Sequence, residues 1–508
     1  MDSEIKNACL MIVSGRGMNV MFIQIWTFLA LFVKRQGFRV CAISRRRSFL
    51  NRYFKLVGIE IINFDSLINK SEIIVPTTLT NGLAKCTEFQ DMRSLYIDSM
   101  PIGEIVMSTV CRDRGVGRID AFDPAIRSEA GYWLEVVYKS YVLIQQVIDK
   151  MSVTHSFHTE VFMQEYGGIY YGSLKKDVNV IRFTPTIRDD ALIVQKLTSQ
   201  NSRLHHSSLD KSTWDQLKEN PFTSKMEFAL QENFHDRYSE KWHRAKRNYT
   251  PGSLTAASDV RNRLGIGSDK PLAVIFSHVL YDTIYFFGTD LYEDYATWLV
   301  ETVRIAIKNT DVHWIVKLHP SNMWRDEIDT LLKGQTLEET LLKRHFGDLP
   351  LHVTLLHPDV AIGPLALMES ADFCVTVRGT SGLEMAVLGK TVVTCGTGRY
   401  EDNGFTLDPT TISHYEFYLK SLHEVRRMNE DQIILAKKYA YGIFVLKPFI
   451  LDSLCPELSF GKKVVKASDD LSYLPRRGSS LDAGTDVTNL LEFLNSRSRD
   501  LLKTLDAF

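Results

Sequence analysis

The chain has 508 residues, of which 44% are hydrophobic, so it is long enough for two packed domains and too long for one ordinary domain. Its 60 Lys and Arg residues balance 61 Asp and Glu residues, which excludes a general electrostatic attraction to nucleic acid or to an anionic membrane. The 7 cysteines include no CxxC pair, and several lie in apolar runs, so we expect reduced thiols and a cytoplasmic protein.

Strands and helices alternate through the first half of the chain. The apolar run 8–14 predicts a strand, and the run 21–33 predicts a buried helix because it falls short of the roughly 20 apolar residues that span a membrane. Together they indicate a first β-α unit and not a signal peptide. Further strands are predicted at 38–44, 59–64, 153–160 and 178–183, and helices at 46–56 and 132–148. Residues 191–249 have a largely helical pattern and 251–253 resemble a linker, so we place a Rossmann-like domain at 1–250.

The second half alternates more regularly. Strands are predicted at 272–279, 313–318, 351–356, 373–377 and 391–395, with helices between them. This pattern predicts a second doubly wound α/β domain at 256–450, followed by a tail at 451–508 that contains a terminal helix. Parallel strands joined by right-handed crossovers bring the loops at their carboxyl ends to one edge of a sheet. We therefore expect His319, 379–382 and 396–400 to line one cleft.

The segment Gly379-Thr-Ser-Gly382 follows a predicted strand and opens a predicted helix. Free backbone N–H groups at a helix start, together with the hydroxyls of Thr380 and Ser381, can hold a phosphate without a metal. The alternative is a capping box, with Ser381 as the N-cap residue and Glu384 three residues later. Arg378, at the end of the strand, is either a phosphate ligand or an ion-pair partner.

Three residues are candidates for the chemistry. His319 lies just beyond a predicted strand and before Pro320, and an imidazole in that position can donate a hydrogen bond to a leaving phosphate. Asp282 is the candidate base or nucleophile, with Glu160 from the first half as the second candidate. The alternative for Asp282 is an ordinary turn aspartate. His278 is a candidate for positioning a substrate.

Three strings carry a resemblance to a known family. Lys317-Leu-His-Pro320, Arg378-Gly-Thr-Ser-Gly-Leu-Glu-Met-Ala-Val-Leu-Gly-Lys390 and Gly398-Arg-Tyr-Glu-Asp-Asn-Gly-Phe-Thr406 resemble the capsule polysaccharide biosynthesis family of bacterial glycosyltransferases, which includes Kdo transferases. The similarity covers residues 270–410, and before residue 250 only the layout is similar. The resemblance implies a GT-B enzyme, in which two Rossmann-like domains face a cleft.

The resemblance also implies roles for the two halves and for single residues. The C-terminal half would bind a nucleotide-sugar donor and the N-terminal half a glycan acceptor. Glu384 would contact the nucleotide, and the loop that carries Arg399 and Tyr400 would cover the donor, against the alternative of an ordinary surface loop. The full set of implied donor-binding residues is Lys317, Pro320, Arg378, Gly379, Thr380, Ser381, Gly382, Glu384, Arg399 and Tyr400.

The implied donor is a CMP-linked Kdo or related ulosonic acid, with UDP-linked sugars left open, and the implied acceptor is a surface polysaccharide or a lipid-linked glycan. We expect no metal and no cofactor beyond this co-substrate, because the chain contains neither a D-x-D motif nor a zinc-spaced His/Cys cluster. The basic runs 45–47 and 241–247 leave open a peripheral contact with the inner membrane, against the alternative of a solvated surface. No nucleic-acid partner is expected.

Two other functions stay open on the residues alone. A sugar-nucleotide 2-epimerase uses the same double-Rossmann layout but needs acid and base groups at the C2 atom of the sugar and no acceptor site. A non-catalytic paralogue would bind glycan or nucleotide and need neither. Retention or inversion at the sugar carbon also stays open, because the two outcomes need different carboxylate placements.

Overall fold

A computed structural model describes residues 9–13, 20–45, 50–119, 123–188, 190–239, 241–242, 256–267, 269–282, 285–319, 336–358, 360, 362–450 and 485–503. The chain divides into two compact units. Unit 1 is formed by described residues within 1–110, 119–202 and 447–503, and unit 2 by described residues within 111–118 and 203–446. In this division the described residues of 203–250 belong to unit 2 and those of 447–503 to unit 1, so it differs from the predicted boundary at residue 250.

The strands, in chain order, are β1 (Cys9–Val13), β2 (Arg39–Ser44), β3 (Glu60–Asn63), β4 (Val153–His158), β5 (Asn179–Pro185), β6 (Ala191–Leu197), β7 (Leu272–Phe276), β8 (His313–Lys317), β9 (Val353–Leu356), β10 (Phe373–Thr376), β11 (Thr391–Thr394) and β12 (Phe449–Ile450). The α-helices are α1 (Val20–Arg35), α2 (Leu50–Leu56), α3 (Phe64–Lys70), α4 (Thr77–Lys85), α5 (Phe89–Arg93), α6 (Ile102–Arg114), α7 (Pro124–Met151), α8 (Gln164–Lys175), α9 (Lys211–Glu219), α10 (Ser224–Tyr238), α11 (Ala257–Arg263), α12 (Tyr295–Lys308), α13 (Leu337–Phe346), α14 (Pro364–Ser370), α15 (Thr380–Val387), α16 (Ile412–Lys420), α17 (Glu430–Tyr441) and α18 (Thr485–Asn495).

Unit 1 is built on a seven-stranded sheet with the order β12-β6-β5-β4-β1-β2-β3. Strands β1 to β5 run parallel, β6 is antiparallel to β5, and β12 is antiparallel to β6. From β1 the chain builds outwards to β3, and it then continues on the other side of β1 with β4 and β5. The topological switch point of this sheet therefore lies between β1 and β4.

The segment 485–503 belongs to unit 1 because its apolar and charged groups are buried there. Phe493 of α18 joins the same core as Leu10 of β1 and Trp26 of α1. Lys196 of β6 donates a hydrogen bond to the carbonyl of Leu494 at 3.2 Å, which suits a cation at the carboxyl end of a helix. These contacts connect α18 to the sheet even though residues 451–484 lie outside the described residues.

Unit 2 is built on a five-stranded, fully parallel sheet with the order β11-β10-β7-β8-β9. Here the chain builds from β7 through β8 to β9 and then continues on the other side of β7 with β10 and β11. The switch point of this second sheet therefore lies between β7 and β10, where an open α/β sheet binds its ligand at the carboxyl ends of the strands.

Helix α12 is fixed beside this switch point by its cap and its apolar face. Asp294 caps the helix by accepting a hydrogen bond from the N–H of Thr297 at 2.7 Å. Trp298 is buried and its Nε1 donates to the hydroxyl of Tyr415 on α16 at 2.9 Å. The first residue of the helix, Tyr295, is held in place by these contacts and becomes important for the site.

The predicted α/β class with two Rossmann-like, doubly wound sheets is confirmed. The predicted buried helix at 21–33 is also confirmed as α1, and none of the described helices is long and apolar enough to cross a membrane. The helical prediction for 191–249 is wrong at its start, where 191–197 form β6 as a fully buried strand. Seven buried residues between two polar segments fit a strand as well as a helix turn, and pairing with β5 decides between them.

Candidate functional site

Polar residues follow three neighbouring strands of the unit 2 sheet, at the point where each strand ends. His278 follows β7, the segment 377–379 follows β10, and His319 follows β8. The first two flank the switch point, and β8 lies one strand further along. Because neighbouring strands are about 4.8 Å apart, the ends of β10 and β8 are separated by about 10 Å, a gap that side chains from both sides can close on one small group.

The turn after β10 leads directly into helix α15. Gly379 is the N-cap residue, and its N–H donates to Thr376 Oγ1 at 3.1 Å. A Cβ atom on Gly379 would lie 2.8 Å from Thr376 Oγ1, so this turn needs a glycine. Since the helix begins at Thr380, Ser381 lies inside its first turn, and no side chain caps it. The alternative capping box of Ser381 and Glu384 is therefore wrong.

The carboxylate of Glu384 is buried in an ion pair. Its Oε1 lies 2.6 Å from Nε of Arg237 on α10, and both side chains are less than a tenth exposed. Burial, and then the charge of Glu384, raise the pKa of the neighbouring Tyr238. A nucleotide contact by Glu384, as the resemblance implies, would have to share this carboxylate with Arg237.

Arg378 is buried beside the same turn and is only partly satisfied. Its Nη2 is ion-paired with Asp290, which confirms the ion-pair interpretation. Its Nε and Nη1 find no hydrogen-bond partner within the described part of the chain. Burial lowers the pKa of Arg378 to about 9, because the charged form is poorly solvated there. Two nitrogen atoms of a buried cation, which carry three N–H groups, therefore remain for another acceptor.

Arg399 and Tyr400 support the turn from a neighbouring loop. Arg399 donates to the carbonyl of Arg378 at 2.9 Å and to Thr380 Oγ1 at 2.7 Å. The hydroxyl of Tyr400 donates to the carbonyl of Gly379 at 2.7 Å. Arg399 is 9% and Tyr400 2% exposed, so the surface-loop alternative is wrong. These hydrogen bonds hold the turn in position. Any contact of Arg399 or Tyr400 with a donor must be compatible with them.

Position 382 must be a glycine because Tyr400, which supports the turn, approaches it closely. A Cβ atom at this position would lie 2.1 Å from the hydroxyl oxygen of Tyr400. The sequence pattern Gly379-Thr-Ser-Gly382 thus has a steric basis at each glycine, in addition to the phosphate-binding interpretation.

His278 is hydrogen-bonded to the turn on the other side of the switch point. Its Nε2 accepts from the N–H of Val377 at 3.2 Å, which places the ring proton on Nδ1. The ring stacks on Tyr295 with centroids 4.6 Å apart. Burial, and then the nearby charges of His319 and Arg378, lower the pKa of His278 well below its usual value. His278 is therefore a neutral part of the framework.

His319 and Lys317 stand at the carboxyl end of β8. His319 is half-buried, and its effect on the pKa of His278 shows that it lies within electrostatic range of the switch point. The Nζ of Lys317 lies 3.4 Å from the carbonyl oxygen of His357, in donating geometry. Pro320, the next predicted member of this group, lies outside the described residues.

The two candidate carboxylates occupy different units. Asp282, in the loop after β7, forms an ion pair with Arg112, and both side chains are partly exposed. The charge of Asp282 adds to burial in raising the pKa of Tyr295, so the carboxylate lies near the tyrosine on which His278 stacks. Glu160 belongs to unit 1, where it follows β4 at the switch point and accepts from the N–H of Val161 at 3.2 Å.

Sequence reasoning missed the partners that hold these residues. Arg112 pairs with Asp282 from 170 residues earlier in the chain, and Asp290 and Arg237 were not singled out either. Nothing in the local pattern marks them, because ordinary charged residues in helices and loops look the same whether or not they have a distant partner. Of the residues searched for metal sites, no group of three or more His, Cys, Asp and Glu side chains is arranged to hold an ion.

No protein-family model matches the chain, and no curated protein sequence matches it. Among solved structures, it is similar to a β-Kdo 2,4-transferase, KpsC of Thermosulfurimonas dismutans, with 14% identity over 59% of this chain and 81% of that one and a TM-score of 0.34. It is similar to MurG of Acinetobacter baumannii, with 13% identity over 86% and 94% of the two chains and a TM-score of 0.29. For the UDP-GlcNAc 2-epimerase of Neisseria meningitidis the identity is 11%, the coverages 86% and 96% and the TM-score 0.30.

Proposed function

We propose that the protein is a nucleotide-sugar-dependent glycosyltransferase that holds the donor phosphate at the turn between β10 and α15. The observation that carries the proposal is Arg378, a buried cation at the switch point whose Nε and Nη1 donate to no described residue. The start of α15 adds backbone N–H groups and the hydroxyl of Ser381 beside it. Donors on a fixed turn are the arrangement that an anionic phosphate needs.

The other residues would divide the chemistry between them. His319 would donate a hydrogen bond to the phosphate as the bond between sugar and nucleotide breaks. Asp282 would act on the acceptor hydroxyl as a base, or on the sugar as a nucleophile, with the carboxylate oriented by Arg112. Glu160 remains the second candidate for this role. Arg378, His319 and the helix start would together neutralise the phosphate charge, so we propose a metal-independent reaction.

The proposed donor is a CMP-linked Kdo or another ulosonic acid, and the proposed acceptor is a surface polysaccharide or lipid-linked glycan. Both follow from the resemblance of 317–320, 378–390 and 398–406 to the capsule polysaccharide family. The proposed cytoplasmic location rests on the cysteines, which suit reduced thiols, and the proposed peripheral contact with the inner membrane rests on the basic runs 45–47 and 241–247. Of the basic residues behind that contact, Arg45 pairs with Glu165 at 3.1 Å, while 46–47 and 243–247 lie outside the described residues.

The reaction is tested by incubating the full chain with CMP-Kdo or UDP-GlcNAc, each with and without a capsular glycan acceptor. A transferase forms an extended glycan and free nucleotide only when the acceptor is present. Free epimerised nucleotide sugar without acceptor would instead establish the 2-epimerase. Binding without turnover of either donor would establish the non-catalytic alternative.

The role of Ser381 is tested by Ser381→Ala. Loss of the hydroxyl should weaken nucleotide binding about tenfold, since a hydrogen bond to a charged group contributes about 1.5–3 kcal/mol. The matched control is Thr411→Ala, which removes a hydroxyl from the start of α16, where it accepts from the N–H of His414. Calorimetric titration with CMP and UDP measures the nucleotide affinity of both variants. Equal affinities for the two variants would contradict the phosphate role.

The role of Asp282 is tested by Asp282→Asn. Transfer should fall at least a hundredfold, the usual effect of removing a positioned base, while nucleotide binding is retained. Glu293→Gln is the matched control, because Glu293 pairs with Arg118 at 3.0 Å on the exposed surface of the same unit. If transfer by Asp282→Asn equals that of the control, the carboxylate is structural and Glu160→Gln becomes the next variant.

A further inference from the structure

Unit 1 contains a cavity that the donor site does not use. It has a volume of about 260 Å³ and lies at the carboxyl end of β2, between helices α3, α7 and α8. All of its lining residues belong to unit 1. Pockets for larger ligands have volumes of about 300–1,000 Å³, so this cavity has room for a single small ring and is too small for a nucleotide-sugar.

Two buried polar side chains line the cavity with unused hydrogen-bonding capacity. Glu165, at the start of α8, is 5% exposed; its Oε1 lies 3.1 Å from Arg45 Nε, and no described residue donates a hydrogen bond to its Oε2. Ser44, the last residue of β2, is 2% exposed, and its Oγ also has no partner across the described ranges. Buried polar groups are normally hydrogen-bonded, so each unused oxygen indicates a ligand or water that completes it.

The charges of the cavity select against an anion. Its two cations are already paired, Arg45 with Glu165 and Lys139 with Glu135 at 2.6 Å. Asp65 adds a third carboxylate to the lining. A phosphate or carboxylate would therefore meet repulsion, and each cation among the described lining residues already has a carboxylate partner, whereas hydroxyl groups can donate to the carboxylate oxygens.

Part of the wall is apolar. Phe64, Ile68 and Ile169 line the cavity, together with the ring of Tyr132. A sugar ring combines C–H faces, which pack on such walls, with hydroxyl donors at its edge. The geometry points to a binding site for one neutral pyranose residue of a glycan, whose hydroxyls donate to Glu165 Oε2 and Ser44 Oγ. Only its role as an acceptor subsite rests on the proposed function.

The inferred pyranose site is tested on the full chain by saturation-transfer NMR and calorimetry, with the methyl pyranosides of glucose, galactose and N-acetylglucosamine as probes. At least one should bind. Glu165→Gln should weaken that binding about tenfold, and Ser44→Ala about threefold, in line with the strengths of charged and neutral hydrogen bonds. Glu135→Gln is the matched control, because that carboxylate is already occupied by Lys139, and it should change affinity by less than about twofold.

The outcomes separate this inference from the proposed function. Absence of pyranoside binding to a protein that binds nucleotide would overturn the cavity assignment alone. Pyranoside binding without nucleotide binding would overturn the proposed function and leave the cavity assignment standing. Preference for glucosamine, with no binding of neutral sugars, would show an amine site instead. If Glu165→Gln lowers the melting temperature strongly, Ser44→Ala still tests the cavity assignment. Equal pyranoside affinity of Ser44→Ala and wild type would contradict a ligand at Ser44.

Discussion

The two units share one topological plan but offer opposite hydrogen-bonding groups at their strand ends. In unit 2 the turn after β10 offers N–H donors from Arg378 and the start of α15. In unit 1 the cavity after β2 offers carboxylate and hydroxyl oxygens from Glu165 and Ser44. Donors suit an anionic ligand and acceptors suit a hydroxylated one. The same sheet topology can thus present two ligand classes, and the choice lies in a few side chains.

The units also differ in how firmly these groups are held. The turn in unit 2 is fixed by three hydrogen bonds from Arg399 and Tyr400, so its donors are oriented before any ligand arrives. In unit 1, Glu165 Oε1 lies 3.1 Å from Arg45 Nε, and no described residue donates a hydrogen bond to Oε2. Substitutions should therefore affect the fold more in unit 2 and the ligand more in unit 1.

The largest effect is expected from Arg378→Ala. Removing one partner of a buried ion pair leaves Asp290 uncompensated and should cost about 3–5 kcal/mol of unfolding free energy, with loss of nucleotide binding. The double variant with Asp290→Ala should regain part of the stability but none of the binding. Urea unfolding and calorimetry measure the two properties. Recovery of nucleotide affinity in the double variant would show that Arg378 serves only the ion pair.

A smaller effect is expected from pH, and it should arise in both units. Burial lowers the pKa of His158 to about 3 and of His155 to about 4, and in unit 2 it lowers that of His278. The unfolded chain takes up protons below about pH 6.5 while the folded protein does not, so stability falls as the pH falls through that value. Each ring should contribute a loss of about 2 kcal/mol between pH 7 and pH 5.

The variant His158→Gln isolates one of these contributions. Its free energy of unfolding should depend less on pH than that of wild type, by about 2 kcal/mol over the same interval. Urea titrations at pH 7 and pH 5 give the difference. An unchanged pH dependence would mean that His158 is protonated, or exposed, in the folded protein.

The close approach of Tyr400 to Gly382 should make Gly382→Ala destabilising by about 1–3 kcal/mol, because the added methyl group meets a hydroxyl that cannot retreat. Adding Tyr400→Phe removes that hydroxyl and should recover part of the loss. The melting temperatures of Gly382→Ala and of the double variant with Tyr400→Phe test this expectation. No recovery would place the strain elsewhere in the turn.

The smallest expected effect is that of a chelator. If Arg378, His319 and the start of α15 neutralise the donor phosphate, transfer should be unchanged by excess EDTA. Loss of activity that a divalent ion restores would show that the donor side needs a metal after all.

Much of the fold was predictable because buried strands and amphipathic helices leave periodic patterns. His319 and 379–382 indeed follow two strands of one sheet, β8 and β10, with β7 between them. The sequence could not show that Arg399 and Tyr400 are buried, since a glycine-flanked polar loop looks exposed. It also could not pair Asp282 with Arg112, or assign 447–450 to unit 1, because those contacts depend on the packing of distant segments. The cavity of unit 1 left no local pattern at all.

The most direct test of the central claim is a calorimetric titration of the full chain with CMP, and then UDP, comparing wild type with the Arg378→Ala, Asp290→Ala double variant. The account predicts that wild type binds one of the two nucleotides and that the double variant, although folded, loses at least about tenfold in affinity. Equal binding by both proteins would contradict a phosphate site at the turn between β10 and α15.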